Sequence, residues 1–562
     1  MELRRTLLIV AMAVIGYMLI LNWQKDYGAQ PAADAVAEAE APVAGNSDMP
    51  TVPAAAVNAD IPVAPTATAN SAETPLAVEG QSNGRVSVKT DVLDIQIDTR
   101  GGDIVRIALP KYTESIDSKK AFVFLDHSAA RTYVAQSGLI GTDGPDAAAS
   151  GRPQYQTSAR EYVLADGQDA LAVTLVLQQE NGVEIRKVFE FTRNNYQVKM
   201  HYDIINRGTA PWSGLMYAQL KRDSSKDPSA SNQGFGMSTF LGGAWWTKDK
   251  PYNKLKLEKF AEEPVKESVT GGWAAMVQHY FVAAWVPDAK SSNVFVTRKS
   301  GDDNIIGYTG APIFIAPGAQ QSINATLYAG PKIQKVLESV SPGLELTVDY
   351  GWLWPVSQFL YWLLSTIHGW IGNWGWSIVF LTILVKAAFF QLSATSYKSM
   401  AKMRTAMPEM QRIKEQHTGD RAKQSQAMME LYKKEKINPL GGCLPILVQM
   451  PVFIALYYCL MESVELRHAP WLGWIHDLAV MDPFFVLPLI MGATMFIQQQ
   501  LNPAPPDPMQ AKVMKIMPVV FTVMFLWFPA GLVLYWVVNN SLSILQQWII
   551  TRQIEKASAA KA

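Results

Sequence analysis

Hydrophobic and polar positions follow three different patterns along the chain. An apolar run covers about residues 7–21 and follows Arg4 and Arg5. From about residue 85 to about residue 330, apolar and polar residues alternate, as they do in Val198–Ile204, and a period of two is typical of half-buried strands. After about residue 350, long apolar runs return, which is the pattern of membrane helices. These patterns predict a soluble β-rich domain followed by a helical membrane domain.

The first apolar run is predicted to be a retained transmembrane anchor at residues 1–27, not a cleaved signal peptide. Bulky and charged residues follow Leu21, and the first Ala-x-Ala pattern, at Ala35 and Ala37, lies too far downstream for cleavage. Residues 28–84 are rich in Ala and Pro and contain neither Lys nor Arg. Because such a composition cannot bury a core, we predict a disordered linker there.

The alternating region is predicted to form one large domain at residues 85–340. Turn signals interrupt its strand patterns at Gly101-Gly102, Asn181-Gly182 and Pro317-Gly318. Many strands separated by such turns are typical of an antiparallel β-sandwich.

Five apolar runs follow, each close to the length of about 20 residues that a hydrocarbon core requires. They are Trp376–Ser396, Cys443–Met461, Pro483–Gln498, Ile516–Trp527 and Leu532–Ile550. They predict a five-helix core at 373–550 and, with the anchor, a polytopic α-helical membrane protein of about six transmembrane helices. Trp352–Trp370 carries polar residues among its aromatic ones, so 350–372 is predicted to be an interfacial helix, with a seventh span as the alternative.

Lysine and arginine residues set the predicted orientation. Ten of them lie in the loop at 398–436, which predicts a cytoplasmic helical hairpin at 398–437, broken near His417–Asp420. Counting spans outward from this loop puts the N-terminus and the tail at 551–562 in the cytoplasm. The β domain and the Glu462–Asp482 loop then lie outside, in the periplasm.

One charged residue lies deep in an apolar run. Lys386 is near the middle of Trp376–Ser396, where a lysine costs about 2.5–3.5 kcal/mol and usually faces water or a partner. Polar residues at comparable depth are candidates to line one hydrophilic cavity with it: Thr382, Gln449, Thr494, Thr522, Asn539, Asn540 and Ser541. Two alternatives stay open, a tilted span that lets Lys386 reach the interface and ordinary hydrogen bonds between helices.

The predicted hairpin carries methionine residues at helical spacing. They are Met400, Met403, Met407 and Met410 on one stripe of the first helix, and Met428 and Met429 in the second. Flexible methionine side chains suit varied hydrophobic segments, which makes this surface a candidate contact for such segments. The alternative is that the two helices pack on each other through these residues.

Composition and motifs argue against catalysis. Formal net charge is zero, so no overall field favours DNA. Cys443 and Cys459 both lie in apolar runs, where cysteine is usually a packing residue. The sequence has no Walker A loop, His-Glu-x-x-His, Gly-x-Ser-x-Gly or clustered Cys/His ligands. We therefore expect no enzyme activity, no cofactor and no metal.

Several motifs resemble those of the YidC/Oxa family of membrane protein insertases, in the Gram-negative form with a large periplasmic domain. The motifs are NPLGGCLPILVQMP at 438–451, ALYY at 455–458, WIHDL at 474–478, DPMQ at 507–510 and FPAGLVLY at 528–535. The resemblance is strongest over about residues 350–550.

The resemblance implies an inner-membrane insertase and chaperone. It would receive hydrophobic segments of nascent membrane proteins in a hydrophilic groove and release them laterally into lipid, alone or with the Sec translocon. Membrane lipids and the ribosome are further expected partners, whereas DNA and small-molecule substrates are not. The groove cation, usually Arg in the family, falls at Lys386, and Trp536 stands where relatives often have a Tyr near the passing substrate. The outer domain would have a sugar-epimerase-like fold.

Two other classes of function stay open. A secondary transporter could use Lys386 as its coupling or substrate site, although the spans show no obvious inverted repeat. A membrane-tethered carbohydrate enzyme would act through residues 85–340, but five polar-lined spans are more than an anchor needs.

Overall fold

The computed structural model describes residues 84–148, 151–230, 239–417, 419–435, 444–502 and 508–559. The predicted anchor and almost all of the predicted linker therefore lie outside the described residues, as does Cys443. The chain divides into two compact units, residues 1–55 with 504–517 and residues 56–503 with 518–562. Of the first unit, the described part is the stretch 508–517, which is helical. The contacts below lie within the second unit.

Twenty described strands cover most of the region up to residue 331. They are β1 (Arg85–Lys89), β2 (Asp94–Asp98), β3 (Asp103–Thr113), β4 (Ala121–Ser128), β5 (Arg131–Ile140), β6 (Gln156–Thr157), β7 (Glu161–Val163), β8 (Ala170–Gln178), β9 (Val183–Thr192), β10 (Gln197–Asn206), β11 (Trp212–Arg222), β12 (Gly242–Trp245), β13 (Asn253–Lys256), β14 (Lys266–Thr270), β15 (Ala274–Val277), β16 (Phe281–Pro287), β17 (Ser292–Ser300), β18 (Asp303–Gly310), β19 (Ile313–Ile315) and β20 (Gln320–Pro331).

The strands form two large sheets. The first runs β14-β17-β18-β11-β5-β4-β3-β2-β1-β7, with β19 paired to β11, and the second runs β13-β12-β15-β16-β20-β10-β9-β8-β6. The pairs are antiparallel except for β1 with β7. The prediction of a large β-rich domain is confirmed, and its antiparallel pattern has this one parallel exception.

The alternation in the sequence explains how each strand is buried. In β10, Val198 and Met200 are fully buried and lie opposite Phe191 and Phe189 of β9, while Lys199 between them is exposed. Side chains on a strand alternate between its two faces, so a period of two places one face in the core.

The two sheets pack face to face through aromatic side chains. Phe122 of the first sheet stacks on Phe281 of the second, with ring centroids 4.6 Å apart. The indole N–H of Trp285 donates to the carbonyl of Gln219 across the same gap, at 3.1 Å. The interface is therefore a packed, largely apolar core, in which some buried hydroxyls, such as that of Tyr202, have no hydrogen-bond partner among the described residues.

A buried ionic cluster interrupts this core. Lys187 is fully buried and donates to the carbonyl oxygens of Gly101 and Ser137, each at 3.0 Å. Beside it, Arg152 bonds to Asp103 at 2.7 Å and to Asp146 at 2.6 Å. Burial lowers the pKa of Lys187 to about 7, because the interior disfavours its charged form.

The described helices are α1 (Gln334–Val340), α2 (Trp354–Ile371), α3 (Trp374–Ala388), α4 (Phe390–Thr405), α5 (Met407–Gln416), α6 (Arg421–Lys434), α7 (Leu444–Glu462), α8 (Val486–Leu501), α9 (Pro508–Phe525) and α10 (Ala530–Ala559). Two capping residues in sequence separate α2 from α3. Gly372 ends α2 with a φ of 71°, which glycine adopts without strain, and the side chain of Asn373 accepts a hydrogen bond from the backbone N–H of Trp376.

The run predicted as one span, Trp376–Ser396, is divided between two helices. α3 and α4 meet at Phe389 and are bent by 66°. Among the described residues no single helix is both long and apolar enough to cross a membrane, whereas this bent pair qualifies when its two halves are taken together. The α8 helix is a shorter apolar one.

The predicted hairpin differs in its boundaries. Its first helix was expected to begin at residue 398, but α4 continues from Phe390 to Thr405, and a further break at Ala406 separates α4 from α5. The four methionines expected on one helix are therefore shared between α4 and α5. The expected break near His417–Asp420 is present between α5 and α6.

The β domain and the helices meet at the C-terminal end of α7. Lys332 forms a buried ion pair with Glu462, with 2.7 Å between Nζ and Oε2. The Nε2 atom of His279 lies 2.9 Å from the carbonyl oxygen of Met461, and Arg467 donates to the carbonyl of Thr113 at 2.7 Å. The pKa of His279 is lowered, because burial disfavours the imidazolium.

Candidate functional site

Lys386 is the buried cation of the helical domain. It lies in the last turn of α3, with a side chain that is 8% exposed, and its Nζ atom donates to Oγ of Ser543 on α10 at 2.7 Å. None of the ion pairs among the described residues includes Lys386. A lysine ammonium group has three N–H donors, so two of them have no protein acceptor in the described part of the chain.

A chain of hydrogen bonds continues from Lys386 to a third helix. The hydroxyl of Ser543 donates to the carbonyl oxygen of Asn539, one turn earlier in α10, at 2.7 Å. The side-chain amide of Asn539 in turn accepts from Nε2 of Gln449 on α7 at 2.9 Å. Polar groups on α3, α10 and α7 are thereby connected in one row.

A second polar contact links α10 to α8. Nδ2 of Asn540 donates to Oγ1 of Thr494 at 3.3 Å, and the same hydroxyl donates to the carbonyl of Met491 at 2.7 Å. The structure thus brings together Lys386, Gln449, Thr494 and Asn540 around α10, which is the hub of the site.

Three predicted residues bond within their own helices. Thr382, almost fully buried, donates to the carbonyl of Ile378 at 2.7 Å, and Thr522 donates to that of Pro518 at 2.7 Å. Ser541 is exposed and donates to the carbonyl of Val537 at 2.7 Å. Its side chain is therefore not part of the buried row, although Asn539, two residues earlier, is.

Trp536 packs among aromatic residues of two neighbouring helices. Its ring centroid lies 5.0 Å from that of Phe453 on α7 and 5.8 Å from that of Phe525 on α9. Its indole N–H is buried and has no acceptor among the described residues. The side chain is half-buried, so part of the ring is accessible.

The sequence reasoning missed three buried polar residues of α10. Ser543, Gln546 and Gln547 are all buried, and Gln547 donates to the side-chain oxygen of Asn502 at 3.0 Å. The sequence does contain a pattern that indicates them: Asn539, Ser543 and Gln546 recur at spacings of four and three residues in an apolar run. Such a polar stripe on one helical face indicates contacts with neighbouring helices.

The sequence left two alternatives to a hydrophilic cavity open: ordinary hydrogen bonds between helices, and a tilted span that lets Lys386 reach the interface. The hydrogen bonds of the predicted residues support the first alternative for some of them. Gln449, Thr494 and Asn540 make hydrogen bonds between helices, which need no water-filled cavity. Lys386 is different, since one hydroxyl is its described acceptor and a buried charge demands more solvation than that.

The methionines of the hairpin are mostly partly covered. Met410 is buried, while Met400, Met403, Met407 and Met428 are half-buried. Met429 is the most accessible of this set, at 57% exposed. Met410 is therefore covered by the fold, and the others keep accessible surface.

Comparison with known proteins covers nearly the whole chain. Residues 85–363 match the family model described as the YidC periplasmic domain, and residues 366–557 match the 60Kd inner membrane protein model. The chain is 55% identical over 569 residues to the membrane protein insertase YidC of Pseudomonas fluorescens strain SBW25, with 100% of both chains covered. It is 56% identical over 567 residues to the insertase of the same name from Pseudomonas syringae pv. syringae strain B728a, again with 100% of both covered.

A solved structure is also similar. It is described as an active YidC insertase crystal structure with the first transmembrane domain resolved, covers 83% of this chain and 92% of its own, and has 16% sequence identity and a TM-score of 0.36. The two family models together span the β domain and the helical domain. On the full-length identity to its curated relatives, the chain belongs to the YidC family of membrane protein insertases.

Proposed function

We propose that this protein takes hydrophobic segments of nascent membrane proteins into a polar groove among its helices and releases them laterally into the lipid bilayer. The family establishes the general activity, insertion of membrane proteins, which is not an enzyme reaction. The groove, its residues and the route of release are the proposal.

One observation carries the proposal, the solvation of Lys386. Its ammonium group is buried, has no carboxylate partner among the described residues and bonds to a single neutral hydroxyl. Holding such a charge in hydrocarbon is costly, so the group favours water or the polar part of a client beside it. The row through Ser543, Asn539 and Gln449 extends this polar surface onto α7.

The arrangement suggests how insertion proceeds without nucleotide. Polar ends of a short client enter beside the row, where hydrogen-bonding groups replace part of their water, so desolvation occurs in stages. The apolar stretch then passes to lipid along the helices that carry Lys386 and Trp536. Acidic residues in the translocated region are attracted to Lys386, and the membrane potential contributes about 2.3 kcal/mol per charge per 100 mV.

The proposal also includes the location, the orientation and the partners of the protein. The protein lies in the bacterial inner membrane with both termini in the cytoplasm and the β domain in the periplasm. The Sec translocon, lipids and the ribosome are its proposed partners. Met400, Met403, Met407 and Met428 form the proposed client-facing surface of the cytoplasmic helices, whereas Met410 is buried. Accessible methionine surface supports this role, because methionine adapts to varied apolar segments.

Depletion of the protein in its host tests the proposal. A short client with two spans is followed by protease protection, with rescue by wild type or by Lys386→Ala. We expect wild type to restore protection and Lys386→Ala to restore it weakly. Lys402→Ala, which removes an exposed cation on α4, is the matched control and should rescue fully. Unchanged insertion after depletion would refute the proposal, and solute flux through proteoliposomes of the pure protein would favour the transporter.

A further inference from the structure

The bend between α3 and α4 has no local cause in the sequence. The two helices meet at Phe389 at an angle of 66°, yet Val385–Ala394 contains neither proline nor glycine. Sharp helix bends almost always arise at proline, at Gly/Ser pairs, at π-bulges or where an outside group enters the backbone ladder. Contacts from elsewhere in the fold must therefore hold this bend.

Helix α10 supplies such contacts on both sides of the break. Before the break, Oγ of Ser543 accepts a hydrogen bond from Nζ of Lys386 at 2.7 Å. After the break, Nε2 of Gln546 donates to the carbonyl oxygen of Phe390, the first residue of α4, at 3.0 Å. Ser543 and Gln546 are three residues apart and so share one face of α10.

Apolar packing extends the same face along α4. Ile550, one turn beyond Gln546, is buried against Ala394 and Tyr397 of α4. One face of α10 therefore follows the bent pair across its break, and Gln546 is the residue that bonds directly to the backbone at the bend.

We infer that Gln546 is a positioning residue, which fixes the bend of α3 and α4 and thereby holds the ammonium group of Lys386 beside the polar row. The inference rests on the proposed role of Lys386 in insertion. A straightened pair would carry the end of α3 away from Ser543, because a change of direction at Phe389 moves the last turn of α3 relative to α10. The bond from Gln546 opposes that movement.

The test combines an activity assay with a distance measurement. Gln546→Leu removes the donor and keeps the size of the side chain, and Gln553→Leu, at an exposed position of α10, is the matched control. We expect Gln546→Leu to lower insertion about five-fold, the factor expected for one lost hydrogen bond, and Gln553→Leu to leave it unchanged. Where Gln546→Leu does not accumulate in the membrane, Gln546→Met replaces it.

Nitroxide labels at Ile383 and Lys398, both exposed and on opposite sides of the break, report the bend directly. For this measurement Cys443 and Cys459 are replaced by Ala. We expect a narrow distance distribution in wild type, a broadened or longer one in the Gln546 variant, and the wild-type distribution in the control. An unchanged distribution in the Gln546 variant would overturn the inference.

A double-mutant comparison separates positioning from general stability. If Gln546 acts through Lys386, Gln546→Leu causes no further loss of insertion in a Lys386→Ala background. An additive loss would mean that Gln546 acts elsewhere, and the inference would fail while the insertase proposal stands. If wild type itself does not restore insertion, the proposed function fails first.

Discussion

The ammonium nitrogen of Lys386 lies 2.7 Å from the hydroxyl oxygen of Ser543, a residue of α10 that follows Lys386 by 157 positions in the sequence. This contact is the start of the polar row. The hydroxyl has one proton, which it donates to the carbonyl of Asn539, so its lone pair is the acceptor for Lys386. A neutral acceptor stabilises the cation without cancelling its charge, which leaves Lys386 able to attract acidic client groups.

Removing that acceptor should weaken insertion. We expect Ser543→Ala to reduce the insertion of a short client about three- to ten-fold, because the buried ammonium group loses its described acceptor. Ser543→Thr keeps a hydroxyl and should retain most activity. Protease protection in depleted cells measures both, and Thr395→Ala, which removes an exposed hydroxyl from α4, is the control. Equal activity of Ser543→Ala and wild type would contradict the role given to this contact.

The effect of removing the charge at position 386 should depend on the charge of the client's translocated segment. Lys386→Arg keeps the charge but changes its geometry, so we expect it to support clients with acidic translocated segments nearly as well as wild type. Lys386→Ala should impair such clients more than neutral ones. The measurement compares two clients that differ only by Asp-to-Asn changes in the translocated segment. The same loss for both clients would mean that Lys386 does not act through charge.

The buried ion pair between Lys332 of the β domain and Glu462 of the helical domain should contribute strongly to stability. Lys332→Met leaves the buried carboxylate of Glu462 without its lysine, a change that typically costs about 3–5 kcal/mol. We expect a clearly lower midpoint of thermal unfolding in detergent and partial recovery when Lys332→Glu is combined with Glu462→Lys. Lys335→Met, at an exposed neighbouring position, serves as the control. A midpoint equal to wild type for Lys332→Met would show that the pair is dispensable.

Lys187 should make the stability of the β domain depend on pH. Its pKa is about 7 in the fold, against 10.5 ordinarily, so the unfolded chain binds this proton more tightly. The contribution of Lys187 to stability is therefore largest above about pH 10, falls as pH falls towards about pH 7 and does not decrease further below that value.

The thermal midpoint of the full-length protein, followed through its β-sheet signal between about pH 7 and about pH 10, measures this dependence. Relative to Lys187→Met, wild type should gain stability as pH rises. Lys199→Met, an exposed lysine on the adjacent strand β10, should follow the wild-type curve. Parallel curves for wild type and Lys187→Met would contradict the shifted pKa.

Much of the fold could be predicted because its patterns are local. Alternation in segments such as Val198–Ile204 identified strands, and apolar runs identified the cores of α7, α8 and α10. The ends of the helices were harder to predict from the sequence. Lys512 and Lys515 interrupt the apolar pattern of α9, which begins at Pro508 and not near Ile516, and α10 continues past its apolar run to Ala559.

The rest depends on contacts between distant parts of the chain. The bend at Phe389 lies in a stretch without proline or glycine, so the local sequence does not predict it. Side chains of α10, a distant part of the chain, bond to Lys386 and Phe390 on either side of it. The pair of Lys332 with Glu462 joins residues 130 positions apart, and a single sequence does not reveal such a pairing. In the site, Lys386 was identified by its depth in an apolar run and by the family resemblance, whereas Ser543 was missed because serine is ordinary in a membrane helix.

Photo-crosslinking from two positions on α10 tests the central claim most directly. A photoreactive residue is placed at Trp536, beside the proposed groove, or at Leu545, which is 53% exposed and lies two residues after Ser543, on a different face of α10. Ribosome-bound nascent chains of a short client are then presented to membranes that contain each variant. We predict strong crosslinks from position 536 and few from position 545. Crosslinks of equal strength from both positions, or from position 545 alone, would contradict a client path along the groove.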